Sequence, residues 1–187
     1  MQQDKNLAFI DIETTGLDPT RHEIIEIGCV IAVPQPALLG PGTYTIAREL
    51  EIKIIPTHIE TAEPKALEVN GYHKRDWSDA VPLQQAMETL CAATQGAVMV
   101  AQNVSFDWSF LVKAAGETRV PLDRALWWHK VDIGSMAMGK FVGKVDAPKR
   151  YNLRGFCEHF GIKNTDAHTA LSDTRATFEI YKKLIGS

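Results

Sequence analysis

Leu7-Ala8-Phe9-Ile10-Asp11-Ile12-Glu13-Thr14-Thr15-Gly16 opens as an apolar, β-branched strand and closes in a Thr-Thr-Gly turn. Strand side chains alternate between faces. Leu7, Phe9, Asp11 and Glu13 therefore share one face, and Ala8, Ile10 and Ile12 share the other. The two acids then lie with Cα atoms roughly 7 Å apart. At an effective dielectric of about 20, like charges at that spacing repel by about 2 kcal/mol. A divalent cation is the simplest reason for a strand end to carry that repulsion. Plain solvation at a strand terminus is the alternative, and carboxylates arriving from elsewhere in the chain would decide between the two.

The 187 residues suffice for one domain, 1–187, with a full core. Hydrophobic content of 45% and charged content of 23% fit a soluble globular protein. No apolar run approaches the ~20 residues of a membrane span, and Asp4, Lys5 and Asn6 interrupt any signal-peptide pattern. Cys29, Cys91 and Cys157 are scattered and form no C-x-x-C pair. They read as buried thiols of a reducing, cytoplasmic compartment, not as a disulfide framework or a zinc site. A net charge of −3 argues against a protein that coats long duplex DNA through a basic surface. It leaves room for a nuclease that grips a short end through metals and a local basic patch.

Outward from the first strand, Glu23–Val33 reads as a second strand and 34–42 as a long Pro/Gly connection. Thr43–Ile46 and Glu51–Ile55 read as further strand, giving three antiparallel strands at the start. Glu63–Val69 makes about two helical turns before Asn70-Gly71. Ser78–Thr94 reads as a helix with Leu83, Met87, Leu90 and Cys91 on one stripe and Pro82 in its first turn. Ala97–Ala101 is a short strand apolar on both faces, followed by a helix from Phe106 to about Gly116 that Ser105 could cap. Leu126–Val131 is a last strand, and Asp132 starts a helix. Leu153–Phe160 is a helix closed by Gly161, and residues 167–185 form a final helix capped by Thr165 or Asp166. Strands followed by helix–strand–helix alternation indicate an α/β domain with a mixed central sheet.

More acids stand in unusual places. Both stripes of the last helix are mostly apolar, so Asp173 interrupts a core-facing row. A buried carboxylate is expensive unless it is paired or binds a metal, so a salt bridge, a capping contact and a metal are its readings. Asp107 lies in the first turn of its helix, where the dipole favours an acid, and it also follows a buried strand where α/β sheets expose their sites. His168 lies five residues before Asp173 and is either structural or catalytic.

Three segments in order now resemble the motifs of the DEDDh, or DnaQ-like, 3′–5′ exonucleases. They are Phe9-Ile10-Asp11-Ile12-Glu13-Thr14-Thr15-Gly16-Leu17, Ala101-Gln102-Asn103-Val104-Ser105-Phe106-Asp107-Trp108-Ser109-Phe110-Leu111 and Ala167-His168-Thr169-Ala170-Leu171-Ser172-Asp173. The His-x-x-x-x-Asp spacing places the chain in the histidine branch. Gln102-Asn103 departs from the His-Asn that the family often carries.

The resemblance implies a ribonuclease H-like fold: three antiparallel N-terminal strands, then parallel strands, flanked by helices. It implies phosphodiester hydrolysis by two divalent cations, Mg²⁺ or Mn²⁺, at the 3′ end of a single-stranded nucleic acid. Asp11, Glu13, Asp107 and Asp173 would hold the cations, with Asp11 bridging both and Asp107 serving the second site through water. His168 would be the general base, a task that histidine's titration range suits. Four carboxylates against two divalent cations are formally neutral, and all-oxygen ligands suit Mg²⁺ or Mn²⁺. Thr14, Leu17, Asn70, Asn103 and Phe106 match positions near the terminal nucleotides, with core packing the alternative for Leu17 and Phe106. Lys140, Lys144, Lys149, Arg150 and Arg154 form a basic concentration that either guides a phosphate backbone or is a solvated loop. DNA is slightly favoured as substrate. An RNA 3′-end trimming ribonuclease, a polymerase-docked proofreading subunit and a catalytically silent binding module are the alternatives. A homodimer or a polymerase partner is open, and no membrane partner is expected.

Overall fold

The computed structural model describes residues 5–36, 43–165 and 168–186. Five strands form one sheet in the order β3-β2-β1-β4-β5. They are β1 (Leu7–Thr14), β2 (Ile24–Pro34), β3 (Tyr44–Lys53), β4 (Ala97–Ala101) and β5 (Leu126–Asp132). β1 pairs antiparallel with β2, and β2 with β3. β1 pairs parallel with β4, and β4 with β5. This is the mixed sheet that the sequence pattern predicts, with β1 at the change of direction.

A central strand is covered on both faces, and the alternation along β1 sorts its residues into two cores. Ala8, Ile10 and Ile12 pack with Met87 and Leu90 of α2 (Leu83–Ala93) and with Phe110 and Leu111 of α3 (Val104–Thr118). Leu7 and Phe9 face the opposite layer. It contains Ile133 of α5 (Ile133–Phe141), Phe156 of α6 (Leu153–Phe160), and Phe178 and Ile180 of α7 (Ala170–Ile185). Phe9 meets Phe178 and Tyr181 edge-on, with ring centroids 5.2 and 5.4 Å apart. Asp11 and Glu13 continue the Phe9 face beyond this core, toward the start of α7. Two short helices, α1 (Pro64–Val69) and α4 (Leu122–Ala125), complete the connections.

Several boundaries differ from the sequence expectation, each for a local reason. The two expected strands at 43–46 and 51–55 are one strand, β3, which absorbs an extra residue where Ile31 pairs with Arg48 and Ala32 with Ile46. Pro34 ends β2 and does not begin the loop, and most of that loop, 37–42, lies outside the described residues. α2 starts at Leu83, not Ser78. Asp76 accepts from Ser78 N in a side-chain turn, Val81 bridges to Ile54, and extended Pro82 is the N-cap. α3 starts earlier than expected, at Val104, after Asn103 turns through φ 64°. α7 starts at Ala170, because His168 at φ 71° cannot continue a right-handed helix. Thr169 is therefore the N-cap in place of Thr165 or Asp166, and Asp166 and Ala167 lie outside the described residues. Asp132 caps α5 as expected, accepting from Ser135 N at 2.7 Å.

Candidate active site

The end of β1 and the first turn of α7 bring three carboxylates together. Single oxygens of Asp11, Glu13 and Asp173 all lie within 4.8 Å of one another. Asp107 enters from the other layer, on the first turn of α3. It is 2% exposed, and its Oδ1 accepts from Ile12 N at 3.1 Å. That bond ties α3 to β1 between the two acids of the Asp-x-Glu pair. The sequence-predicted acids therefore converge from 162 residues of chain separation, Asp11 to Asp173, onto one end of the sheet.

Proximity and burial have an electrostatic consequence. Burial pushes the Glu13 carboxyl up to about 8, with Asp173 and Glu26 adding to the rise. Burial likewise lifts Asp107 to about 8. Asp11 is raised by burial and then by Asp107, Asp173 and Glu13. Asp173 is raised by burial against the opposing pull of Asn164 and His168. Four acids that resist ionisation together, offering only oxygen ligands, fit hard divalent cations. A bound cation would reverse these shifts by supplying the missing positive charge.

α7 reaches this position because of Gly28. Gly28 pairs with Asp11 across the β1–β2 ladder, and its missing side chain makes room for the helix start. A Cβ there would stand 2.2 Å from the Ala170 carbonyl carbon. Asn164, in the loop before α7, donates to Asp173 Oδ1 and accepts from Ser172 Oγ, which fixes the carboxylate's direction. His168 is exposed, two residues before the helix, and lines a groove with Asp173, Asn164, Cys157 and Arg154.

Glu13 also lines a second cleft, together with Thr14, Leu17, Val69, Asn70 and Phe106. Its floor is a stapled turn. Thr14 Oγ1 donates to Gly16 O at 2.7 Å, Glu23 N donates to Thr15 Oγ1 at 2.9 Å, and Asn70 Nδ2 donates to Thr14 O at 3.1 Å. Leu17 stands on this turn 73% exposed, so it is not a core residue. Phe106 is half-buried against Phe110, with centroids 5.1 Å apart. Asn70 is buried, and both ends of its amide are taken by backbone, since its Oδ1 accepts from Tyr72 N. These bonds tie it into the cleft floor, which it lines beside Glu13 and Thr14. Asn103 is exposed at the N-cap of α3 and is not among the residues lining that cleft. Two members of the basic concentration are engaged elsewhere. Lys140 donates to Leu184 O at the far end of α7, and Arg154 pairs with Glu158 at 2.9 Å while lining the His168 groove.

The sequence reading missed Glu26 and Arg75. Glu26 faces Glu13 across the ladder and is fully buried. The Arg75 guanidinium grips both its oxygens, Nη1 to Oε2 at 2.7 Å and Nη2 to Oε1. The available signal was a lone acid inside the otherwise apolar run Ile24-Ile25-Glu26-Ile27-Gly28-Cys29-Val30-Ile31.

A mixed sheet of this order, covered by helices on both faces and carrying acids at the end of its central strand, defines a ribonuclease H-like fold. A family model for exonucleases matches residues 8–181, and the chain belongs to that family, the DEDDh group of DnaQ-like exonucleases. It is 26% identical over 182 residues to the PolC-type DNA polymerase III of Thermotoga maritima, covering 97% of this chain and 12% of the polymerase. It is 28% identical over 191 residues to ribonuclease T of Vibrio campbellii, covering 93% of this chain and 82% of that enzyme. Among solved structures, E. coli exonuclease I in complex with a dT13 oligonucleotide matches with a TM-score of 0.76 at 16% identity. That match covers 97% of this chain and 41% of exonuclease I, and it is a likeness of fold.

Proposed function

We propose that this chain is a metal-dependent 3′–5′ exonuclease that removes nucleotides from the 3′ end of a single strand, with DNA slightly favoured. The observation that carries the reading is the convergence of Asp11, Glu13 and Asp173 within 4.8 Å, with Asp107 bonded between them through Ile12 N. The cleft beside Glu13 supplies a place for a strand end, with Leu17 as an exposed apolar edge and Phe106 as an aromatic face. Base–aromatic stacking is worth about 1–3 kcal/mol and tolerates any sequence, as a trimming enzyme requires.

In this mechanism Asp11, Glu13 and Asp173, with Asp107 behind them, would hold two divalent cations, Mg²⁺ or Mn²⁺. When bound, such a pair activates water and stabilises a leaving oxygen. The chain's own residues do the rest. His168 takes the proton from the attacking water. Its place outside the α7 helix leaves its ring in the open groove beside Asp173, where the water and strand can approach. Leu17 and Phe106 bracket the terminal bases, and the stapled turn at Thr14 sets how far the strand enters.

RNA is the second reading, because ribonuclease T matches over 82% of its own length. The PolC-type relatives, of which this chain matches 12%, support a third: an exonuclease that serves a polymerase. The test compares matched 5′-labelled DNA and RNA single strands for shortening from the 3′ end, with Mg²⁺ and with EDTA. Strong stimulation of DNA cleavage by a polymerase subunit would favour the third reading. Metal-independent binding of both strands without cleavage would overturn the proposal in favour of a silent module.

A further inference from the structure

Glu26 is a fifth carboxylate beside the acidic cluster, and its surroundings ask why it does not join the other four. It is fully buried and lies opposite Glu13 in the β1–β2 ladder. Cross-strand partners share a face, so its side chain lies beside Glu13 on the α7 side of the sheet. Both its oxygens are already engaged. Arg75 binds them with the two arms of its guanidinium, and Oε2 also accepts from Ala170 N at 3.2 Å. Ala170 is the first residue of α7, and the helix start rests on the bare backbone of Gly28, two residues further along β2.

Arg75 in turn comes from the segment that leaves the Glu13 cleft at Asn70. It follows the short 3-10 turn Tyr72–Lys74, which continues from Asn70 and the cleft beside Glu13. Its guanidinium lies over Trp77, whose Nε1 donates to Tyr72 O at 2.8 Å. Glu51 of β3 approaches the same guanidinium at 3.4 Å. One buried carboxylate therefore connects the segment at residues 70–77 to the N-terminus of the helix that carries Asp173.

We propose that Glu26 and Arg75 act as a bracket. They are positioning residues, not metal ligands, and they hold the first turn of α7 so that Asp173 meets Asp11 and Glu13 at ligand distance. Arg75 uses its planar fork to neutralise Glu26 and direct both its oxygens toward the guanidinium and the start of α7. This inference rests on the metal-binding reading given above. Groups that orient a metal ligand from behind are worth about 10- to 100-fold in metal affinity.

The test titrates Mn²⁺ by calorimetry into the metal-free, full-length chain, without nucleic acid. The samples are wild type, Asp11→Asn, Glu26→Gln, Arg75→Lys and the double variant Glu26→Gln/Arg75→Met. Amide hydrogen exchange over the first turn of α7 is read in parallel. The bracket predicts about tenfold weaker Mn²⁺ binding in Glu26→Gln and in Arg75→Lys, with faster exchange at Ala170 through Asp173. The double variant should be no weaker than Glu26→Gln alone, because one shared contact is lost. The double variant also removes both charges together, so it leaves no unpaired buried ion to unfold the chain. If Glu26 were itself a ligand, Glu26→Gln would weaken binding while Arg75→Lys left it unchanged or tighter, and the bracket would be overturned. Wild-type affinity with unchanged exchange in both single variants would overturn it too. Failure of the metal-binding reading looks different: wild type and Asp11→Asn would bind Mn²⁺ alike, and the exchange result alone would then decide the bracket.

Discussion

Asp107 and Glu13 are acids held under conditions that favour their protonated forms. Burial sets the carboxyls of both at about 8 in the fold, against ordinary values near 4.5 for Glu13 and 3.8 for Asp107. Between those limits the folded chain binds more protons than the unfolded chain, so stability falls as pH rises. The contribution is complete below the ordinary values and is lost on passing the raised ones. In EDTA the melting temperature should therefore fall between about pH 5 and pH 8, and Asp107→Asn should flatten that slope. Mg²⁺ or Mn²⁺ should remove the fall, since cation binding favours the ionised carboxylates. A melting temperature that rises with pH in EDTA would contradict the electrostatics drawn for the site. His168 makes a separate prediction. Its ring is exposed, so His168→Ala should leave stability within about 0.5 kcal/mol of wild type. The same change should slow cleavage by about 10²–10⁴-fold with Mn²⁺ binding retained. Unchanged turnover would remove it from the role of base.

At the scale of elements, the site depends on how closely α7 can approach the sheet. Gly28→Ala would set a Cβ against the Ala170 backbone, and backbone cannot swing aside as a long side chain can. The expected cost is about 1–3 kcal/mol of stability, measured by urea unfolding, with weakened Mn²⁺ binding because Asp173 moves with its helix. Equal stability and affinity would show that α7 has room there. The cleft floor offers a parallel case. Asn70→Ala strips a donor from Thr14 O and should cost about 1–3 kcal/mol. Leu17→Ala, at an exposed tip, should leave stability alone and raise KM.

These elements also show how far the sequence could be read. The alternation Leu7, Phe9, Asp11, Glu13 predicted the face of β1 correctly, because a period of two depends only on local backbone geometry. The stripes of α7 likewise predicted its burial. The start of α7 was not legible, because it depends on a left-handed turn at His168, where no glycine announces a positive φ. Glu26 was passed over because its partners, Arg75 and Ala170, are 49 and 144 residues away. No local pattern announces a contact of that kind. The left-handed turn at Asn103 that starts α3 was not legible either, since the motif shows the residue and not its backbone conformation.

Over the whole molecule, two cores on opposite faces of β1 deliver acids to one end of the sheet from opposite sides. Asp107 comes with the α2–α3 layer, and Asp173 with the α5–α7 layer. Asp11 and Glu13 sit on the strand between them. Among the described residues no helix is long and apolar enough to cross a membrane. We propose this convergence as a metal-dependent centre for shortening a strand from its 3′ end. The most direct test incubates 5′-labelled single-stranded DNA and RNA of matched sequence with the wild-type chain in Mg²⁺, in EDTA, and with Asp11→Ala in Mg²⁺. A metal centre at Asp11 should give a ladder of products shortening from the 3′ end, absent in EDTA and absent with Asp11→Ala. A ladder that persists with Asp11→Ala, or no cleavage of either strand in Mg²⁺ or Mn²⁺, would contradict it.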